Sequence, residues 1–82
     1  MRVAVDLSLY PLDADFIPPI KDVIDRLNAH DGIEVVTNPM ATQVRGEYAD
    51  VMRVLTQDIR TTFEQVPKAD CAIQIQNNPT AD

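Results

Sequence analysis

The sequence has few of the residues with which small proteins stabilise a fold. It contains no tryptophan, one cysteine and two glycines, and only 5% of its 82 residues are aromatic. A single cysteine excludes an internal disulfide and a cysteine-based metal cage. A chain of this length buries only about 60–65% of the surface that it exposes when unfolded. We therefore expect one domain that is marginally stable alone and associates with further copies of itself.

Positive charge and long apolar runs are also scarce. Seven lysines and arginines oppose 13 acidic residues, which gives a net charge of −6, and scattered cations disfavour nucleic acid as a partner. No apolar run approaches the about 18 residues of a membrane span, and the N-terminus lacks the apolar core of a signal peptide. We expect a cytoplasmic protein that binds neither nucleic acid nor membrane, and for which a small cation is the better electrostatic match.

Apolar periodicity predicts four strands and two helices. Alternation of apolar and polar residues indicates strands over residues 3–10, 33–38, 41–45 and 71–76. Apolar residues at three-and-four spacing predict one helix from about Pro18 to just before Asp31, with Asp15 as its candidate N-cap. A longer helix is predicted between Gly46 and Pro67, since proline prevents its continuation.

This element order, β-α-β-β-α-β, predicts a ferredoxin-like α+β sandwich. Two helices with one apolar stripe each can cover only one face of a four-stranded antiparallel sheet. Right-handed crossovers then place the first and third strands at its centre. We expect this domain to comprise residues 1–77 and the polar residues 78–82 to form a flexible tail.

The short connection between the second and third strands determines which residues share a face. If Pro39 and Met40 alone form the loop, opposing residue numbers sum to 79. Asn38 and Gln43 then lie on the face without helices, and Thr42 lies on the helix face. A bulge at the loop would reverse this and place Thr42 on the open face instead.

The face without helices, called the open face below, combines small residues with amides and hydroxyls. Small side chains allow a second sheet to approach closely, and the polar side chains need partners once they are covered. This pattern predicts a protein interface that contains a ligand pocket; a merely solvated sheet face is the alternative. The residues predicted for the open face are Ala4, Asp6, Ser8, Tyr10, Val36, Asn38, Ala41, Gln43, Arg45, Ala72, Gln74 and Gln76.

Catalytic patterns are absent. His30 follows the first helix, where we interpret it as an exposed imidazole that favours the helix C-terminus, and Cys71 as a small buried apolar residue. The acidic residues lie on a loop and a solvated helix side, so no metal site is predicted. Tyr10 is the single aromatic residue of the central strands, too few for an RNA-recognition module. We expect no enzyme and no catalytic cofactor; a hydrolase or isomerase that uses His30 or Cys71 is the remaining catalytic alternative.

Three short segments resemble the thiamine-binding YkoF-like family, and the similarity spans nearly the whole chain. They are Ser-Leu-Tyr-Pro-Leu at residues 8–12, Asn-Pro-Met-Ala-Thr at 38–42 and Arg-Gly-Glu at 45–47. Ala41 stands where glycine or serine is commoner in the family motif. The resemblance implies a ferredoxin-like domain that binds thiamine, chiefly through its aminopyrimidine, without catalysis. Because some relatives carry two domains in tandem, it also implies that this single-copy chain forms homodimers or tetramers.

The candidate ligand-binding residues combine this resemblance with hydrogen-bonding chemistry. An aminopyrimidine has ring acceptors and an amino donor, which amides and hydroxyls can match, and its flat ring favours an apolar or aromatic wall. Asp6 could also lie near the thiazolium cation. The candidates are Ser8, Tyr10, Asn38, Met40, Thr42, Gln43 and Gln74, with Thr42 included because the family motif contains it. The alternative is a regulatory or structural oligomerisation domain that binds another small metabolite or none.

Overall fold

A computed structural model describes residues 1–12, 14–38 and 41–77 of the chain. The elements are β1 Arg2–Pro11, α1 Ile17–Asn28, β2 Glu34–Thr37, β3 Thr42–Glu47, α2 Tyr48–Gln65 and β4 Ala69–Asn77. The four strands form one antiparallel sheet in the order β2-β3-β1-β4. The predicted ferredoxin-like sandwich, with the first and third strands at the centre, is confirmed. The predicted tail, residues 78–82, lies outside the described residues.

The register of β2 and β3 agrees with a two-residue connection. Val36 is opposite Gln43 and Thr37 is opposite Thr42, so opposing residue numbers sum to 79 as predicted. The backbone N–H of Asn38 donates to the carbonyl oxygen of Ala41 at 3.0 Å, beyond the end of the ladder. The face assignment that follows from this register is therefore confirmed, and the bulged alternative is wrong.

The core lies between the sheet and the two helices. Strand alternation directs one side of β1 and β3 toward the helices, whose apolar stripes pack against it. The fully or nearly buried core residues are Val3, Val5, Leu7, Leu27, Val44, Val51, Val54 and Leu55. No helix of the described ranges is long and apolar enough to cross a membrane.

The start of α1 differs from the prediction. Phe16 occupies the N-cap position and makes no side-chain hydrogen bond to the helix, so Asp15 as the cap was wrong. The helix begins with Ile17, and Pro18 and Pro19 follow in its first turn. Prolines are compatible with this position because the first amide groups of a helix have no partner inside it, and fewer donors therefore need a cap.

Candidate functional site

Asp6 lies at the centre of the open face between two glutamines. It is directly opposite Gln43 on β3 and Gln74 on β4, and side chains opposite each other on antiparallel strands start only about 5 Å apart. The amide Nε2 of Gln43 donates a hydrogen bond to Asp6 Oδ1 at 3.0 Å. Arg45 Nε in turn donates to Gln43 Oε1 at 3.1 Å. The sheet register thus assembles a hydrogen-bonded chain from a guanidinium through an amide to a carboxylate.

A pocket of about 390 Å³ surrounds this carboxylate. Its volume falls in the range of small-molecule sites. Its lining residues are Ala4, Asp6, Gln43, Gln74, Ile75 and Gln76. Ala4 is only 4% exposed, and its small side chain leaves space over the central strand.

The donors and acceptors of the pocket suit a polar heterocycle. The ionised carboxylate of Asp6 only accepts hydrogen bonds, whereas each glutamine amide both donates and accepts. A ring that carries an amino group beside ring nitrogens would present the complementary set. The charge of the lining is negative, which favours a neutral or cationic ligand over an anion.

Gln43 and Gln74 are the predicted site residues that the structure brings together in this pocket. Ser8 and Tyr10 also lie on the open face, opposite Ala72 and Asp70. They follow Asp6 by two and four residues along β1, which corresponds to about 7 and 13 Å at the rise of a strand. Neither belongs to the lining, and Tyr10 is 55% exposed.

The predicted site residues near the connection between β2 and β3 do not line the pocket. Asn38 Oδ1 accepts a hydrogen bond from the backbone N–H of Ala41 at 3.0 Å, so this side chain supports the turn. Thr42 is opposite Leu7 and only 6% exposed, on the helix side of the sheet. Its hydroxyl lies 3.5 Å from that of Thr37, with the sheet between it and the pocket. Met40 lies outside the described residues.

Sequence reasoning missed Ala4, Asp6 and Gln76 as members of one pocket. All three were placed on the open face, but their proximity depends on the register of β1 with β4. The available signal was Asp6 itself, a carboxylate in the middle of an otherwise apolar and small-residue strand.

His30 is not the freely exposed imidazole that its sequence context predicted. Its Nε2 lies 3.2 Å from Asp58 Oδ2 and 3.3 Å from Oδ1, and its side chain is 22% exposed. Asp58 is buried on α2. The guanidinium of Arg26 donates to the carbonyl oxygen of Asp58 at 3.4 Å and to the hydroxyl of Thr62. These residues form a polar contact between the two helices, on the side of the molecule away from the pocket.

Cys71 lies on β4 beside the core and is partly buried. Burial raises the pKa of its thiol, which disfavours the reactive thiolate. Its surroundings therefore agree with the predicted role as a small apolar residue. Among the described residues, no group of three or more histidine, cysteine, aspartate or glutamate side chains could hold a metal ion.

Several solved structures share this fold. A Streptococcus pneumoniae protein is 22% identical with a TM-score of 0.89, and the match covers 98% of this chain and 90% of that one. A hypothetical protein of Methanocaldococcus jannascii is 20% identical, with a TM-score of 0.81 and coverage of 99% and 84%. A candidate thiamine biosynthesis/salvage protein of Thermotoga maritima is 19% identical, with a TM-score of 0.84 and coverage of 95% and 85%. No curated protein matches significantly.

A family model gives the more specific result. The model described as thiamine-binding protein matches residues 5–82, a range that includes all three segments on which the sequence resemblance was based. The chain therefore belongs to the thiamine-binding protein family.

Proposed function

We propose that the open face binds thiamine through its aminopyrimidine ring and that the protein catalyses no reaction. The observation that carries this proposal is the Asp6–Gln43 hydrogen bond, with Gln74 on the other side of the carboxylate. Membership of the thiamine-binding protein family supports the ligand. The similarity to the Thermotoga protein, whose description mentions thiamine biosynthesis or salvage, points in the same direction.

The three polar side chains can divide the recognition of the ring among them. The carboxylate of Asp6 accepts a hydrogen bond from the exocyclic amino group, and the amides of Gln43 and Gln74 donate to ring nitrogens. Ala4 leaves room for the ring to lie against the sheet. The negative charge of Asp6 also compensates the positive charge of the thiazolium.

A second copy of the chain completes this site in our proposal. The pocket opens away from the sheet, and the small side chains of Ala4 and Ala72 allow another sheet to approach the open face. Ser8 and Tyr10 lie on the same face as Asp6 but do not line the pocket within one subunit. In a face-to-face pair, they would contact the ligand from the facing subunit.

A calorimetric titration with thiamine tests the proposal, with thiamine phosphate, the free pyrimidine and proline as comparison ligands. We expect saturable binding of thiamine and of the pyrimidine. Asp6→Asn should weaken thiamine binding about tenfold or more, because a hydrogen bond to a charged group contributes about 1.5–3 kcal/mol. Gln57→Ala, on the exposed side of α2, is the matched control and should bind as the wild type does.

Three results would contradict the proposal. Absence of heat at millimolar thiamine would mean a binding free energy weaker than about −4 kcal/mol and would favour an oligomerisation domain. Unchanged affinity in Asp6→Asn would place the ligand elsewhere. Preferential binding of proline would indicate a different small metabolite.

A further inference from the structure

The side-chain amide of Gln43 lies between two groups of opposite charge on the open face. Its Nε2 donates a hydrogen bond to Asp6 Oδ1 at 3.0 Å, and its Oε1 accepts one from Arg45 Nε at 3.1 Å. If this amide were turned over, its N–H groups would face the guanidinium and its oxygen would face the carboxylate. Donor would then meet donor, and acceptor would meet acceptor. The two neighbours therefore permit one orientation of the Gln43 amide.

Arg45 acts on this amide from outside the pocket. It follows Gln43 by two residues on β3, so both side chains lie on the same face of the sheet. There Arg45 has Glu34 of β2 opposite it on one side and Ala4 of β1 on the other. Among the described residues, the pocket lining includes Gln43 but not Arg45. Arg45 is therefore placed to influence a bound ligand through the orientation of Gln43.

Gln74, on the other side of Asp6, is not held between opposite charges in this way. Its neighbours on the same face of β4 are Ala72 and Gln76, and both are uncharged. The amide of Gln74 can therefore turn either its N–H groups or its oxygen toward a ligand. An amide that adapts in this way does not distinguish donors from acceptors on the ligand, so the discrimination falls to Gln43.

We propose, on the basis of the proposed function, that Arg45 determines ligand specificity by holding Gln43 as a hydrogen-bond donor beside Asp6. The pocket then selects pyrimidines that carry an amino group over those that carry an oxo group. Gln43 Nε2 and Asp6 Oδ1 are only 3.0 Å apart, so they present a donor beside an acceptor to a single ring edge. An aminopyrimidine has the complementary pair, since its ring nitrogen accepts and the adjacent amino group donates.

An oxopyrimidine reverses this pair. Its ring N–H donates and its carbonyl oxygen accepts, so the same placement would set N–H against the N–H of Gln43 and oxygen against the carboxylate of Asp6. Without Arg45, the Gln43 amide can turn its oxygen toward the ligand and accept from that ring N–H. Loss of Arg45 should therefore reduce the preference for the amino form.

Calorimetric titration with thiamine and with its oxo analogue, in which a carbonyl replaces the amino group, measures this preference. The wild type should bind thiamine about tenfold or more tightly than the analogue, because hydrogen bonds to charged groups are the stronger ones. In Arg45→Met the ratio of the two affinities should fall about fivefold, the equivalent of one neutral hydrogen bond. Both ligands carry the thiazolium charge, so the effect of a changed net charge on the protein cancels in this ratio.

Arg53→Met is the matched control. It makes the same substitution on α2, where the Arg53 side chain is 59% exposed, and it should keep the wild-type ratio. A wild type that binds both ligands equally, or an Arg45→Met variant that keeps the full ratio, overturns the role of Arg45 and leaves the thiamine site intact. A wild type that binds neither ligand contradicts the proposed function and this specificity together.

A measurement on the ligand-free protein tests the positioning step by itself. In nuclear magnetic resonance spectra of Arg45→Met, the side-chain amide signals of Gln43 should move toward those of Gln57, an exposed side chain on α2, because the amide is no longer held at both ends. In Arg53→Met they should stay at their wild-type positions. Gln43 signals that do not move in Arg45→Met would show that Arg45 does not hold this amide.

Discussion

Asp6 places a hydrogen-bonded carboxylate at the centre of the open face. Its carboxylate accepts a hydrogen bond from Gln43, whose amide oxygen is held by Arg45. These two hydrogen bonds fix the orientation of the Gln43 amide before a ligand binds. Binding then costs less side-chain entropy, and such pre-organisation favours affinity. In our proposal, ligand binding depends on side chains that are far apart in the sequence and that the sheet register brings together.

Sequence reasoning at the residue scale succeeded where the partner was near in the chain. The face of Gln43 followed from a two-residue connection, because its partner strand lies only a few residues away. The neighbourhood of Asp6 and Gln74 spans 68 residues of chain and depends on a strand register that no local pattern specifies. His30 was misjudged for the same reason, because its partner Asp58 lies 28 residues further along.

The partly buried thiol of Cys71 makes the folded protein less stable as the pH rises into the alkaline range. Burial raises the pKa of Cys71 in the folded protein above its ordinary value of 9.0. The unfolded chain therefore loses the thiol proton at lower pH than the folded protein does. The contribution of Cys71 to stability is present below about pH 9 and is lost as the pH rises further.

We expect the free energy of unfolding to fall more steeply between pH 8 and pH 10 in the wild type than in Cys71→Ala. Urea unfolding at both pH values measures the difference. Parallel decreases in the two proteins would contradict a role for this thiol.

At the scale of elements, the two helices are joined by a polar contact as well as by the core. His30 and Arg26 at the end of α1 contact Asp58 and Thr62 of α2. Asp58 is only 3% exposed, and a buried carboxylate that loses its partner is strongly destabilising. The contact therefore fixes how α1 and α2 lie against each other over the sheet.

We expect His30→Ala to destabilise the protein by about 1–3 kcal/mol, because it leaves a buried acceptor without its partner. Thiamine affinity should stay at the wild-type level, since this contact lies away from the pocket. Urea unfolding and calorimetric titration measure the two quantities. His30→Ala with Asp58→Ala should be less destabilised than the sum of the single variants, and strict additivity would show that the pair does not interact.

The elements themselves were largely predictable. Alternation in β1 and β3 and the three-and-four spacing in α1 and α2 correspond directly to the buried faces that the structure shows. Two features did not follow from local pattern. α1 begins without a side-chain cap at Phe16, and Ile73 and Ile75 of β4 are 42% and 46% exposed although the helices were expected to cover one face of the sheet. Whether a helix covers a given strand depends on how the helix layer is placed over the sheet. The periodicity of one element does not specify that placement.

At the scale of the whole molecule, two surfaces of the described residues are exposed to solvent. The open face carries the polar pocket, and the edge of β4 carries an apolar groove. A chain of 82 residues with few aromatic residues gains stability when such surfaces are buried in an assembly. In our proposed function, contact between the open faces of two copies would cover the polar pocket.

The central claim is that the aminopyrimidine ring of thiamine lies among Asp6, Gln43 and Gln74. The most direct measurement follows the side-chain amide signals of the glutamines by nuclear magnetic resonance during titration with thiamine. Our account predicts saturable shifts of the Gln43 and Gln74 amides, with little change at Gln57 and Gln65 on α2. Saturable binding that leaves the Gln43 and Gln74 signals in place would contradict it.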